Sequence, residues 1–425
     1  MDGGRTTSSN GISRNAPCVS VVVPVYNAAS RLDETISMLR KQSLVDCELI
    51  FVDDGSVDGS DEIVLGYSEE DSRIRYLPQN HSGAGSARNR GMDAARGEYL
   101  IFLDADDIYS SQILGKLAAA LEIDGSDIAL CEMDSIDMRT GATKPRVRFP
   151  EMYPGGAYEP SDFGSDFFKV CTNNPVNKMF RRDFLKRLGL KYQSLQNTND
   201  LFFVCAACSS ASRLSLVKES LYTYRLSQGR SIQDAYLKSP FCTFIALYTL
   251  HSWLVEQGRY QGFISSSFKS LAMGNANASL RKCAPDKGLF REVCLQFTRA
   301  MNERWGFPGD GAGLSAAQRY AFRCMMGSSA EALRQALLPL AGERFYSSKT
   351  KVEAAARMFV QLASSKIRRE LCVSDDCANA VVDVESVTKD LAIEDWSDAL
   401  DAAFEAAFAL RANMSGAGCP KTNPS

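Results

Sequence analysis

Acidic residues follow two short apolar runs in the first quarter of the chain, at a spacing that could support chemistry. Asp53 and Asp54 come directly after ELIFV, and Asp104, Asp106 and Asp107 come directly after YLIFL. If the two runs are parallel strands, their carboxyl ends meet at one edge of a sheet, where open α/β sheets bind ligands. We therefore expect these five carboxylates to crowd one small region.

Carboxylates that lie this close repel one another in a cleft of low dielectric constant, so a bound cation would stabilise them. Oxygen ligands suit a hard divalent ion such as Mg²⁺ or Mn²⁺, which commonly completes its coordination shell with substrate phosphates. The sequence therefore predicts Mg²⁺ or Mn²⁺ as a cofactor.

A glycine-rich turn before a predicted helix indicates an anion site nearby. The segment HSGAGSARNRG (His81 to Gly91) would place free backbone amides and Arg88 at the start of that helix. The segment lacks the P-loop spacing, and Arg88 stands where a dinucleotide fingerprint has glycine or alanine. A phosphate-bearing ligand is favoured, whereas NAD and P-loop ATP chemistry are not.

The sequence gives little support to catalysis by a serine or cysteine nucleophile with a histidine base. The chain has two histidines, His81 and His251, and neither lies in a G-x-S-x-G motif. Its 13 cysteines are scattered, which is typical of reduced thiols rather than of a disulfide framework. Cys205 and Cys208 form the single close pair and are expected to be core residues, because two further zinc ligands are missing. Catalysis is expected to depend on carboxylates.

Strand and helix patterns alternate over the first 135 residues, which predicts βαβ units and a mostly parallel sheet. Ser30 and Asp33 resemble a capping box at the start of the first helix, whose apolar face would hold Leu32, Ile36 and Leu39. The predicted strands are Val19 to Val25, Glu48 to Val52, Arg73 to Leu77, Tyr99 to Leu103, Asp127 to Cys131, Arg213 to Val217 and Leu221 to Tyr224. The predicted helices are those near Ser30, Asp58 to Tyr67, Gly85 to Ala95, Ser111 to Leu121 and Asn199 to Ser210.

Composition and domain organisation narrow the class of protein further. The 425 residues carry a net charge of −3, with no basic surplus of the kind that nucleic-acid binding requires. No apolar run is long enough for a transmembrane helix, and the N-terminus lacks the apolar core of a signal peptide, so a cytoplasmic protein is expected. We predict a disordered leader over 1–16, an α/β domain over 17–235, a helical domain over 236–412 and a disordered tail over 413–425. Phe241, Phe244, Ile245 and Tyr248 share a face of the first helix of the helical domain.

Four motifs in a fixed order carry a family resemblance: VSVVVPVYN, ELIFVDDGSVDGS, GAGSARNRG and GEYLIFLDADD. They resemble the inverting family 2 glycosyltransferases with the GT-A fold, of the type found in bacterial cell-surface polysaccharide synthesis. The resemblance covers residues 17–135 and continues more weakly to about 235. It implies an α/β fold of the nucleotide-diphospho-sugar transferase type, in which helices flank a Rossmann-like sheet, followed by a mainly α-helical C-terminal region.

The resemblance also implies roles for individual residues. Asp104 and Asp106 match the D-x-D motif that binds the metal ion, with Asp107 supporting that loop, and Asp54 would hydrogen-bond the base. Asp200 would be the catalytic base, although Asn199 stands where the family usually has glutamate. The residues implied to contact the nucleotide sugar are Pro24, Tyr26, Asn27, Asp53, Asp54, Arg88, Asp104, Asp107, Arg225 and Arg230, the last two on a loop that closes over the diphosphate.

The expected reaction moves a sugar from a nucleotide-diphospho-sugar, UDP being the commonest nucleotide in the family, to a hydroxyl group of a glycan or lipid-linked acceptor. A carboxylate opposite the leaving group would take the proton of that hydroxyl and give inversion. Peripheral contact with the inner face of the cell membrane stays open. Residues 236–425 could recognise the acceptor, bind a partner or mediate self-association.

Two alternatives use the same kind of fold. A sugar nucleotidyltransferase would want a glycine-rich basic signature after the first strand, where this chain has Tyr26, Asn27 and Ala28. A scaffold without catalysis would keep the fold and bind only partners. Asn199 favours that alternative, whereas the intact Asp104, Asp106 and Asp200 argue against it.

Overall fold

The computed structural model describes residues 16–226 and 239–309, with isolated positions between 311 and 337. The described residues divide into two compact units, one holding residues 16–226 and 253–259, the other residues 239–252 and those from 260 onward. The predicted leader except for residue 16, the predicted tail, most of 310–412 and Arg230 lie outside the described residues. The predicted domain division at 235 falls between the described residues 226 and 239 and stays a prediction.

The first unit is built on one sheet of ten strands within the described residues, in the order β3-β2-β1-β4-β9-β6-β10-β5, with β7 paired to β6 and β8 paired to β10. The strands are β1 Val19–Val25, β2 Cys47–Asp53, β3 Ile74–Pro78, β4 Tyr99–Phe102, β5 Ile108–Tyr109, β6 Ile128–Asp137, β7 Thr143–Val147, β8 Gly156–Tyr158, β9 Lys178–Arg181 and β10 Leu214–Leu226. The helices of this unit are α1 Ala29–Arg40, α2 Ser60–Glu70, α3 Ala84–Ala94, α4 Ile113–Asp124, α5 Phe167–Val170, α6 Arg182–Leu188 and α7 Leu201–Ser210, with a 3₁₀ helix over Pro160–Asp166.

The parallel core of the sheet matches the sequence prediction. β1 spans the predicted residues and pairs in parallel with β2 and β4, while β3 extends the sheet beyond β2. The carboxyl ends of β1, β2 and β4 therefore lie along one edge, as a ligand site in an α/β sheet requires. The two strands predicted over 213–224 are one strand, β10, whose pairing with β6 is irregular between Val217 and Tyr222.

Four strands run against the others and were not predicted. β9 lies between β4 and β6 and is antiparallel to both, and β5, β7 and β8 pair antiparallel at the margins. The sheet is thus mixed, although six of its ten strands share one direction. β9 gave no strand signal because its four residues begin with Lys178, which is fully buried.

The helices pack as their apolar faces predict, with one correction at a helix start. Leu32, Ile36 and Leu39 form the buried face of α1. The predicted capping box is wrong, since α1 begins at Ala29 and no side chain caps it. Its first backbone amides are bound by side chains of the loop after β2, because Asp58 accepts a hydrogen bond from Ala29 and Ser60 accepts one from Ala28.

The described part of the second unit contains helices, as predicted: α8 Cys242–Glu256, which crosses the division between the units, α9 Gly262–Cys283 and α10 Lys287–Glu303. Trp305 is fully buried against the rings of Phe244, Phe268 and Phe297. The predicted apolar face of α8 is partly wrong, because Ile245 is exposed and the neighbouring Ala246 and Leu247 are buried instead. None of the described helices combines the length and apolar character that a membrane span needs.

Candidate functional site

The aspartates at the end of β2, called here the β2 pair (Asp53 and Asp54), are both buried. One carboxylate oxygen of Asp54 accepts hydrogen bonds from the Gln79 side chain at 2.6 Å and the Ser82 amide at 2.8 Å. The other oxygen accepts from the Gly83 amide at 2.8 Å and lies 2.9 Å from Nδ1 of His81. Four groups therefore occupy this carboxylate, which fixes the loop over residues 79–83.

This arrangement occupies part of the glycine-rich turn before α3. Two backbone amides of the turn, those of Ser82 and Gly83, bind the carboxylate of Asp54. α3 itself begins at Ala84, so the predicted anion site at the first amides of the helix stays a prediction. Asp53 is similarly engaged, accepting from the Tyr76 hydroxyl at 2.8 Å and the Ser56 amide at 3.0 Å.

An exposed aromatic plane lies at the end of β1. Tyr26 is 51% exposed, and its ring stacks on the ring of His81 with centroids 4.2 Å apart. The next residue, Asn27, has a left-handed backbone and accepts a hydrogen bond from the Val57 amide at 2.9 Å. Pro24 lies within β1 just before them. The sheet edge thus offers a flat ring surface beside polar loops, and a nucleobase could stack on it.

The acidic loop that follows β4, called here the β4 loop (Asp104 to Asp107), has a different character. Asp104 is paired with Arg88 at 2.7 Å and stays partly exposed. Asp107 is buried, and accepts from the Tyr222 hydroxyl at 2.6 Å and the Arg225 amide at 2.7 Å. Within the described residues, the exposed Asp106 carboxylate forms no salt bridge and accepts no side-chain hydrogen bond.

Negative charge accumulates in the β4 loop. Partial desolvation by the surrounding protein and the charge of the neighbouring Asp104 raise the pKa of Asp106 above its usual value. Burial and Asp104 likewise raise the pKa of Asp107 to about 7. The ends of β2 and β4 lie on either side of β1, but the β2 pair is engaged by groups of its own loops, so the expectation that all five aspartates crowd one region stays a prediction. Across residues 16–226 and 239–309, no three His, Cys, Asp or Glu side chains meet in a complete metal-binding group.

Arg88 connects the β4 loop to the start of α7. Its side chain is buried and donates to Asp104 at 2.7 Å and to the side-chain oxygen of Asn199 at 3.2 Å. The guanidinium also lies over the Tyr192 ring, 5.5 Å from its centroid. The structure therefore places Arg88 between two acidic elements, at the side of α3 and not at its first turn.

Asp200 is at the N-cap position of α7 but makes no capping hydrogen bond, so the structure does not support a helix-capping role. Burial raises the pKa of its carboxyl, and the positive charge of Arg88 opposes that rise. Asn173 donates to the Asp200 carboxylate at 3.5 Å. A raised pKa favours proton acceptance, which suits a general base. The link through Arg88 brings Asp200 and Asp104 into one site.

Arg225 is buried and does not lie on an exposed loop. Its guanidinium pairs with Glu34 and lowers the pKa of that carboxyl, while its backbone amide binds Asp107. Arg230, predicted on the same loop, lies outside the described residues. The contacts with a nucleotide sugar implied for all these residues stay predictions.

Three site residues were not predicted from the sequence: Asn89, Asn173 and Tyr192. Asn89 lies in the glycine-rich motif, next to Arg88, and its side chain bonds the backbone of Tyr192. Asn89 could have been found as a polar residue one position from Arg88 on the same helix. Asn173 and Tyr192 carry no signal, because only the tertiary fold brings them to Asp200.

Comparison with known proteins identifies the class of protein that this fold and site define. A family model described as glycosyl transferase family 2 matches residues 20–189. The chain is 30% identical over 259 residues to the putative glycosyltransferase EpsH of Bacillus subtilis (strain 168). The aligned region covers 57% of this chain and 70% of EpsH. The protein therefore belongs to glycosyl transferase family 2, as its four ordered motifs implied, and is a glycosyltransferase.

Two further relatives add detail. The uncharacterized glycosyltransferase EpsJ of the same organism is 30% identical over 246 residues, covering 55% of this chain and 70% of EpsJ. The crystal structure of S. aureus TarS 1–349 in complex with UDP-GlcNAc matches with a TM-score of 0.60 and 20% identity, over 78% of this chain and 95% of that chain. That likeness establishes the GT-A fold predicted from the motifs.

Proposed function

We propose that this protein transfers a sugar from a uridine diphosphate sugar to a hydroxyl group of a glycan or lipid-linked acceptor, with inversion. The observation that carries the proposal is the link from Asp104 through Arg88 to Asn199 and the start of α7. It joins an acidic loop suited to the leaving group with a buried carboxylate, Asp200, suited to the acceptor.

The donor would lie along the edge formed by β1, β2 and β4. Its base would stack on the ring of Tyr26, which is exposed at this edge and rests on the ring of His81. Uridine is proposed because the TarS structure of the same fold holds UDP-GlcNAc. The diphosphate would then reach the β4 loop. The sugar itself is not assigned.

The residues of the β4 loop fit a divalent metal ion. Asp106 is exposed and unpaired within the described residues, and its pKa is raised by partial desolvation of the carboxyl group and by the charge of Asp104. Two carboxylates suit Mg²⁺ or Mn²⁺ when phosphate oxygens complete the coordination. Asp104 and Asp106 would hold the ion, which when bound supplies positive charge to the departing diphosphate. Asp107 supports the loop through Tyr222 and Arg225.

Asp200 would accept the proton of the acceptor hydroxyl as its oxygen attacks the anomeric carbon. The new bond forms as the bond to the diphosphate breaks, and a base opposite the leaving group gives inversion. Burial raises the pKa of the Asp200 carboxyl, and the positive charge of Arg88 beside it opposes that rise. Asn173 orients the same carboxylate.

The names of two relatives support our proposal for the acceptor class. A relative from Staphylococcus aureus is named poly(ribitol-phosphate) beta-N-acetylglucosaminyltransferase TarS, and one from Borreliella burgdorferi is named cholesterol galactosyltransferase. The two names refer to a poly(ribitol-phosphate) and to cholesterol. We place the present reaction in cell-surface polysaccharide synthesis at the cytoplasmic side, with peripheral membrane contact and self-association as further proposals.

The experiment is a screen of nucleotide sugars for transfer or hydrolysis, with Mn²⁺, with Mg²⁺ and with a chelator. We expect turnover with a UDP-sugar that depends on the metal ion, and loss of transfer in Asp200→Asn with the affinity for UDP kept within about threefold. Full activity of Asp200→Asn would contradict the assignment of the base. Metal-independent turnover would contradict the role of Asp106, and binding without any turnover would favour the scaffold alternative.

A further inference from the structure

One face of α3 contacts the segment that leads to the proposed base, residues 189–199. Gly85, Arg88 and Asn89 lie on this face. Arg88 follows Gly85 by three residues and Asn89 follows it by four. Such positions line one side of a helix. Because this segment leads directly into Asp200, its position determines the position of the base carboxylate.

Gly85 allows the two elements to approach closely. A Cβ atom at this position would lie 2.5 Å from the carbonyl oxygen of Gln193 and 3.4 Å from the Cβ atom of Asn199. The first distance is below van der Waals contact, so only glycine fits here without movement of the segment. The contact therefore depends on the backbone of α3 itself.

Asn89 adds two hydrogen bonds to this contact. Its side-chain oxygen accepts from the Tyr192 amide at 2.8 Å, and its side-chain nitrogen donates to the Tyr192 carbonyl at 2.9 Å. The bonds join residues 103 positions apart in the sequence. One side chain thus satisfies both backbone polar groups of Tyr192, in the same way that a neighbouring strand would.

Tyr192 carries this restraint to α7. Its ring stacks on Phe203, with centroids 4.0 Å apart and planes 18° from parallel, and Phe203 lies in the first turn of α7. The guanidinium of Arg88 also lies over the Tyr192 ring, 5.5 Å from its centroid. Both Tyr192 and Phe203 are buried. A shift of the Tyr192 backbone would therefore move the start of α7 and the bridge to Asp104.

We propose that Asn89 is a positioning residue for catalysis, which places the Asp200 carboxylate relative to the β4 loop by fixing the backbone of Tyr192. The proposal rests on the proposed function, in which Asp200 is the base. Asn89 itself touches neither substrate nor reacting atoms. Its effect is on kcat, because a displacement of about 1 Å in a catalytic group can cost roughly 100-fold in rate.

The test compares Asn89→Ala with the matched control Asp93→Ala. Asp93, also on α3, pairs with Lys191 of the same segment through an exposed ion pair, and exposed pairs contribute little. In Asn89→Ala we expect kcat to fall about 10- to 100-fold, while the KM for the UDP-sugar and the affinity for UDP stay within about twofold. In Asp93→Ala we expect all three values to stay within about twofold.

Asn89→Asp is a second variant in case the alanine variant folds poorly. It fits the same space and still accepts from the Tyr192 amide, but its second oxygen cannot donate to the Tyr192 carbonyl and is repelled by it. We expect Asn89→Asp also to have a lower kcat than wild type, and a wild-type kcat in either folded variant would overturn the proposal. So would a lowered melting temperature with unchanged kcat, or a loss of UDP affinity equal to the loss of kcat.

Hydrogen exchange separates this proposal from the proposed function. We expect amides 193–200 to exchange faster in Asn89→Ala than in wild type or Asp93→Ala, whether or not any sugar is transferred. A wild-type protein without transferase activity would defeat the proposed function, while the exchange data would still show whether Asn89 holds the segment. Equal exchange in all three proteins would overturn the role of Asn89.

Discussion

Two acidic regions at the same edge of the sheet show how the same side chain can serve different ends. In the β2 pair, Asp54 is buried with four groups on its two oxygens. In the β4 loop, Asp106 is exposed and, within the described residues, has no side-chain partner of this kind. A carboxylate whose acceptor sites are filled holds the fold, whereas one left unfilled beside another negative charge can bind a ligand.

The largest expected effect is on activity and concerns the β4 loop. Asp106→Asn removes the charge that would help hold the metal ion, so kcat/KM is expected to fall about 1,000-fold, which corresponds to roughly 4 kcal/mol of transition-state stabilisation. Folding should be unaffected or slightly stabilised, because repulsion from Asp104 disappears. Transfer assays at saturating Mn²⁺ and urea unfolding measure the two effects.

Asn-for-Asp exchange at position 54 provides the contrast to Asp106→Asn. If the Asp106 variant lost stability and kept its activity, the distinction between the β2 pair and the β4 loop would be wrong. Titration with Mn²⁺ sharpens the result, since weaker metal dependence in Asp106→Asn would point to the ion itself.

A smaller effect, on stability, is expected at the amino end of the same strands. Glu48 is buried and accepts from the Ser20 hydroxyl at 2.6 Å and the Arg96 amide at 2.7 Å, and it pairs with Arg75 at 2.5 Å. Glu48→Gln removes one partner of a buried ion pair and should cost about 3 kcal/mol at pH 7. Urea unfolding gives this value directly, and an unchanged midpoint would contradict the structural role.

The pH dependence of this contribution has a definite sign. Burial alone would raise the pKa of Glu48, but hydrogen bonds from Ser20, Arg96 and Arg75 outweigh it and leave that pKa below its usual value. The stabilisation is therefore present above the unfolded pKa, about 4.3, and is lost as pH falls through the folded pKa. Unfolding free energy should fall less steeply below about pH 5 in Glu48→Gln than in wild type.

The third prediction concerns the β2 pair. Asp54→Asn would place an amide group against the Gly83 amide or the Ser82 amide, leaving a donor without an acceptor at a buried position. We expect a stability loss of about 2 kcal/mol, with kcat of the folded protein reduced less than tenfold. Urea unfolding and transfer assays on the same preparation test it. A fall in kcat like that of Asp106→Asn would show that Asp54 contacts the donor.

The sequence could predict those parts of the fold that local patterns determine. β1 is a run of β-branched residues buried on both faces, and its bounds follow directly from that run. β9 could not be predicted, because Lys178 reads as a surface residue yet is fully buried, its ammonium group bound to Asn174 and Asn177. Both partners are close to Lys178 in the sequence, but its burial depends on the insertion of the strand between β4 and β6.

The site was predictable in its residues more than in their arrangement. The acidic loops and Asp200 could be picked out because each follows or precedes a recognisable element. The hydrogen bonds that occupy the Asp54 carboxylate could not be predicted, since they come from a turn about 28 residues away in the sequence. Arg88 also differs from expectation, because its partners Asp104 and Asn199 are brought to it by tertiary packing.

The smallest expected effect tests whether Asp53 resembles Asp54. Tyr76 is half-buried and donates to Asp53 at 2.8 Å, and burial together with this bond raises the pKa of its hydroxyl. Tyr76→Phe removes that donor, while Asp53 keeps the hydrogen bond from the Ser56 amide, so a loss of about 1 kcal/mol is expected. Urea unfolding measures it, with activity unchanged within about twofold. A larger loss would mean that Asp53 is left buried without a replacement partner, and a loss of UDP affinity would mean that the β2 pair contributes to donor binding after all.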